Sequence, residues 1–323
     1  MRNFCTLFDK NYLYQALALF RSLELNCAEF TLYALCMEDV SYKLISRIGK
    51  TNLIPISVTE IETAEIRSAK KYLTHGQYCA IWQPLICLHI LDEYNVDLIT
   101  YVDADIMFFY DPEVLFEELN NCSASVVSHN YTPAFDNTPI AGKFCVQFNA
   151  FRNNMKSREV LNYWKACCFK YSKWMPSNYP GQLSLDYWPE LFEGVRVIQH
   201  SGAGVAPWNI QKFKVTNDDG KILVNGYPIV FYHFHEYAWD SNGHPFLSRY
   251  PLSAAAVELI YQPYTSVLRE IQEWVKSIDN TFYCKKVVQI QNLRERFVSY
   301  FLCLVSRCYR EILRQKLKKL RST

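Results

Sequence analysis

Two short motifs carry the chemistry of this sequence, Asp103-Ala104-Asp105 and His233-Phe234-His235. The aspartates follow Leu98 to Val102, a run rich in β-branched and aromatic residues that predicts a buried strand. Side chains at i and i+2 of a strand share a face, so both carboxylates are expected to project together from its carboxyl end. Two anions that close repel unless a cation lies between them or they ionise unequally. A hard divalent metal with oxygen ligands, keeping positions open for water or phosphate, resolves the conflict. The competing account has one Asp capping the next turn and the other facing solvent. His233 and His235 end a second predicted strand beginning at Gly226, and neutral imidazole is a common ligand for manganese-like metals. Beside a D-x-D in the same sheet, at least one of these histidines is expected to complete a site for Mn2+ or Mg2+.

The elements that must hold these groups read as α/β. Phe4 to Phe8 is a strand, Leu13 to Leu25 has helical spacing, and strands follow at Phe30 to Leu35 and Leu53 to Val58. That rhythm predicts parallel strands joined by right-handed crossovers, with ligands bound beyond their carboxyl ends. Asp9 would then share a rim with Asp103 and Asp105, accepting hydrogen bonds from a base or ribose; capping the Leu13 helix is an equal account. Residues 59–95 read as helical, with Pro84 in the first turn of the second helix and His89 in its apolar face. Residues 131–142 form a loop over the rim, and Phe144 to Phe151 a strand presenting Gln147 and Asn149 on one face. Arg152 at its end is placed to meet a phosphate. Gly202 and Gly204 belong to a turn that lets backbone approach a ligand, with Trp208 as a stacking wall.

At 323 residues, half of them hydrophobic, the chain can bury a large core. A net charge of +2 excludes general nucleic-acid binding. Twelve cysteines without a C-x-x-C pair suit neither a zinc site nor a disulfide framework and read as reduced thiols of a cytoplasmic protein. No stretch reaches the roughly 20 apolar residues of a spanning helix, and the first residues lack the apolar run of a signal peptide. Two regions are expected: 1–250, holding the site, and 251–323, a helical extension. Residues 306–323 carry seven Lys/Arg against one Glu, interspersed with leucines. Such an amphipathic tail, 297–323 with its apolar lead-in, suits peripheral attachment to an anionic inner-membrane surface or packing on the domain or a partner.

Taken together, Thr100 to Asp105, Lys143 to Asn153, Asp186-Tyr187-Trp188-Pro189, Gln199 to Asn209 and Tyr232 to His235 resemble the GT-A-fold glycosyltransferases, close to glycosyltransferase family 8 and its bacterial relatives. The resemblance spans about Asn3 to Tyr237. It implies a mixed sheet flanked by helices that binds a nucleotide-diphosphate sugar, Asp103 near ribose and metal, Asp105 on the metal and His233 as the late histidine ligand. It also implies sugar transfer, with retention, to a glycan or glycolipid acceptor, as in bacterial surface polysaccharide synthesis. Gln147, Asn149, Gln182 and Asp186 are the candidates for lining the sugar, with Asp186 and Gln182 nearest the reaction. Two positions depart from the family: Gly181 where relatives carry Asp, and Cys145 where they carry Asn. These keep a catalytically impaired nucleotide-sugar-binding protein as an alternative. A metal-dependent phosphohydrolase is another, although its D-x-D lies in the first strand and is followed by Thr or Val, whereas Ile106-Met107 follows here.

Overall fold

The computed structural model describes residues 1–172, 180–240 and 242–283. The tail at 297–323 lies outside the described residues, and among those described no helix is long and apolar enough to cross a membrane. Strands β1 (Arg2–Phe8), β2 (Phe30–Cys36), β3 (Leu53–Ser57) and β4 (Leu98–Val102) pair in parallel in the order β3-β2-β1-β4. They are buried almost throughout because helices cover both faces. Phe4 and Phe8 point into a core shared with helix Leu13–Asn26, and Cys5 points into another shared with helix His75–Glu93.

Beyond β4 the sheet turns mixed. After a short strand β5 (Ile106–Phe108), β6 (Ala124–Ser128), β7 (Phe144–Cys145), β8 (Phe148–Arg152) and β9 (Val195–Ile198) complete it, with β8 antiparallel to β4 and β6 antiparallel to β8. Two antiparallel steps make β6 parallel to β4, so the carboxyl ends of β1, β4 and β6 share one rim. The chain goes from β1 outward to β2 and β3, then returns to place β4 on the other side of β1. That reversal opens a crevice at the rim.

Two expectations change here. The strand before the D-x-D stops at Val102; Ala104 and Asp105 form a turn closed by Ile106 N–H on Asp103 C=O (3.2 Å), so Asp103 opens a turn and Asp105 lies within it, instead of the two sharing a strand face. Strand β5 then leaves the main sheet and pairs antiparallel with Phe231–His233, His233 opposite Ile106. Pro84 lies inside helix His75–Glu93, not in its first turn, because a Thr74/Gln77 capping box starts the helix earlier. Proline leaves the Ala80 carbonyl without its helical donor, and the Cys168 thiol donates to it instead (3.4 Å). The cysteines described are free, and most are buried. Helix Gln262–Ile278 packs on helix Leu13–Asn26: Leu268, Ile271 and Val275 enter the first core, and Arg21 pairs with Glu270 at 2.7 Å.

Candidate active site

The crevice holds a cavity of about 410 Å3. Its centre is built by the β5 ladder, which sets the Asp103-Ala104-Asp105 turn against the strand end carrying the histidines. Phe234 N–H donates to Asp105 C=O (2.8 Å) and His233 N–H to Val205 C=O (2.9 Å), so backbone bonds fix the register of both motifs. His233 Nε2 lies 3.1 Å from Asp105 Oδ1 and 3.9 Å from Asp103 Oδ2. One ligand atom each from Asp105, His233 and His235 lies within 4.8 Å of the others, an arrangement able to hold a cation. One carboxylate and two imidazoles suit Mn2+ better than Mg2+, which prefers oxygen. The Trp208 indole stands edge-on to both rings, with centroids at 5.2 and 5.4 Å. Its Nε1–H donates to the His129 carbonyl (2.8 Å), which anchors the expected wall.

Asp103 stands beside this cluster and outside it. Its Oδ1 accepts from the Tyr101 hydroxyl (3.1 Å), which in turn accepts from Gln83 Nε2 (3.4 Å). Burial raises the Asp103 carboxyl to about 7; His233 pulls it down, the Asp105 charge pushes it up, and the Tyr101 bond pulls it down. Its side chain is still 23% exposed to the cleft. Burial, with the charges of Asp105, Asp9 and Asp103, also drives the Tyr12 phenol up, so it stays protonated. At one end of the cleft Asp9 caps the short 3-10 turn Lys10–Tyr12 instead of the Leu13 helix itself, its Oδ1 accepting from Asn11 N–H (2.8 Å), while Oδ2 faces His75 Nε2 (3.1 Å). At the other end Tyr131, Trp208 and Tyr250 present aromatic surface.

No protein-family model matches the chain. The uncharacterised protein YfnD of Bacillus subtilis strain 168 is 26% identical over 291 residues, spanning 87% of this chain and 92% of that protein. YfnF of the same strain, also uncharacterised, is 28% identical over 245 residues, 72% and 81%. Among solved structures, the galactosyltransferase LgtC in complex with donor and acceptor sugar analogs superposes with a TM-score of 0.56 at 11% identity, covering 83% of this chain and 95% of that one. The chain has the GT-A fold. A second GT-A structure, the glycosyltransferase GlyE of Streptococcus pneumoniae TIGR4, gives 0.50 at 11% identity over 90% of this chain and 66% of its own.

Several side chains expected at the GT-A cleft have other work. Asn149 is 0% exposed and donates to Ser125 C=O (3.1 Å) within the sheet, out of reach of a sugar. Arg152 pairs with the start of β4, on the opposite rim, and holds the Asn120 carbonyl. Gly202 and Gly204 make close approaches to protein, not to ligand: a Cβ on Gly202 would sit 1.9 Å from Pro228 O, and one on Gly204 (φ +70°) 2.6 Å from Val127. Asp186 uses Oδ1 to hold Lys143 N–H (2.7 Å) and Phe144 N–H (3.1 Å) and is not among the residues lining the cavity. Gln182 does line it, with its amide donating to Ala141 C=O (2.8 Å). At Gly181 a Cβ would lie 2.6 Å from Cys168 Sγ, so packing leaves no room for a side chain there without a shift of that thiol. Gln147 is 0% exposed and touches His233 instead of the cavity.

Sequence reasoning missed Tyr12, His75, Tyr101, His129 and Tyr131. His129 was within reach, since it directly follows β6 at the ligand-binding rim. It is 3% exposed and neutral, its pKa pushed down to about 3 by burial and by His233.

Proposed function

We propose that this protein transfers a sugar from a nucleotide-diphosphate sugar to a glycan or glycolipid acceptor, using a divalent cation held by Asp105, His233 and His235 with Asp103 beside them. The observation that carries this reading is the position of that donor set, at the strand reversal of a GT-A sheet. A cation bound there supplies positive charge to the departing diphosphate. The remaining roles belong to the chain. Asp103, whose carboxyl burial raises to about 7, would be held as the carboxylate by a cation bound beside it. Asp9 and His75 offer hydrogen bonds at the end of the cleft nearest β1, where a nucleoside fits. Gln182, from the segment that departs from its relatives, is the polar group directed at the sugar, while Asp186 shapes the adjoining turn. The aromatic end stacks against a pyranose face of the acceptor.

The test is a screen of UDP- and GDP-sugars for hydrolysis in the presence of Mn2+, which requires no acceptor. Hydrolysis of one donor should depend on Mn2+ and fall at least 100-fold in Asp105→Ala and in His233→Ala. Full rates in EDTA, or in both variants, would overturn the assignment. Release of phosphate from phosphomonoesters would support the phosphohydrolase instead.

A further inference from the structure

We propose that Gln147 is a positioning residue for the metal centre, holding His233 in the one tautomer and orientation in which Nε2 faces Asp105. This rests on the metal reading above and assigns Gln147 a different role from contact with the sugar.

Gln147 sits at the break between β7 and β8, fully buried. Its two ends reach the two halves of the centre. The backbone carbonyl accepts from Asp103 N–H (3.3 Å), at the D-x-D turn. The side-chain Oε1 lies 3.2 Å from His233 Nδ1, on the strand that turn must meet. An amide oxygen can only accept, so Nδ1 carries the proton and the lone pair falls on Nε2, the nitrogen 3.1 Å from Asp105 Oδ1. An acceptor behind a ligating imidazole also raises its basicity.

Packing does not explain a glutamine here. Its Nε2 has no hydrogen-bond partner, and a buried unpaired amide N–H is destabilising where Leu or Met would fill the same volume without it. Nor does anything spare room for a larger group: a Cβ on Gly204 would come within 2.8 Å of that Nε2. The neighbouring chain is therefore shaped around the amide, and the half of the amide that finds a partner is the one serving His233.

The full-length protein is assayed by calorimetric titration with Mn2+ and by pulsed EPR of the bound ion, which reads imidazole nitrogen directly. Gln147→Leu should weaken Mn2+ binding about tenfold to a hundredfold and reduce the nitrogen modulation. Gln147→Glu, which keeps an acceptor at the same place, should bind within threefold of the unaltered protein or tighter. Unchanged affinity and modulation in Gln147→Leu would overturn the proposal. So would a tenfold loss in Gln147→Glu, which decides the matter even if the leucine variant does not fold. Absence of Mn2+ binding by the unaltered protein would remove the metal reading and this inference together, whereas binding indifferent to residue 147 would remove this inference alone.

Discussion

Replacing Asp103 by Asn should flatten the pH dependence of metal binding. Burial holds the Asp103 carboxyl at about 7, so in neutral solution a proton competes with the cation for the ionised form. With that value the apparent dissociation constant rises by a factor of 1 + 10^(7 − pH), about 11 at pH 6, about 2 at pH 7 and about 1.1 at pH 8. Asp103 alone therefore accounts for roughly a tenfold loss of affinity between pH 8 and pH 6. Calorimetric titration with Mn2+ at the three pH values measures it, and the histidines are common to both proteins, so the difference in slope isolates the carboxylate. Stability without metal supplies the opposite sign. A carboxyl raised above its unfolded value of about 3.9 contributes stability that is full below that pH and lost as pH climbs through about 7. At pH 8 in EDTA, Asp103→Asn should thus be the more stable protein, by on the order of 2–4 kcal/mol. Identical pH slopes for the two proteins, or a less stable Asn variant at pH 8, would refute the account of this carboxyl.

Gly202→Ala should cost about 3 kcal/mol or more in urea unfolding, since its Cβ would meet Pro228 O at 1.9 Å. Gly220→Ala, with φ +80° but nothing within 4 Å, should cost only about 1 kcal/mol; equal midpoints would contradict the packing described. Mn2+ at 100 times its dissociation constant should add about 2.7 kcal/mol and raise Tm by roughly 4 °C, reversibly with EDTA. Asp105→Ala should lose that rise, and retention of it would place the ion elsewhere.

The first half of the sheet and the meeting of the Asp and His motifs at one rim were legible in the sequence for a physical reason. Strands buried on both faces leave continuous apolar runs, and the β1 to β3 rhythm with its helices admits few topologies. What escaped depends on contacts between distant segments. The alternation read through Phe144 to Phe151 put Gln147 and Asn149 on one face, but the strand breaks between β7 and β8. Gln147 consequently turns to His233 while Asn149 stays in the sheet. The glycines at 202 and 204 announced a close approach without saying to what; the partners are Pro228 and Val127. The D-x-D turn was misread as strand because its pairing partner, Phe231–His233, lies far along the chain.

That distant pairing has a consequence for synthesis. The parallel strands through β4 are complete soon after residue 102 leaves the ribosome, but the partner of β5 arrives only with Phe231–His233. At about 5–20 residues per second the interval is on the order of ten seconds. During it the nascent chain carries Asp103 and Asp105 with no histidine to face them, and Ile106–Phe108 presents an unpaired apolar edge. A growing chain halted between Ile198 and Phe231 can build the main sheet and still lack the strand that sets His233 against Asp105, so the candidate site closes only after the sheet that carries it.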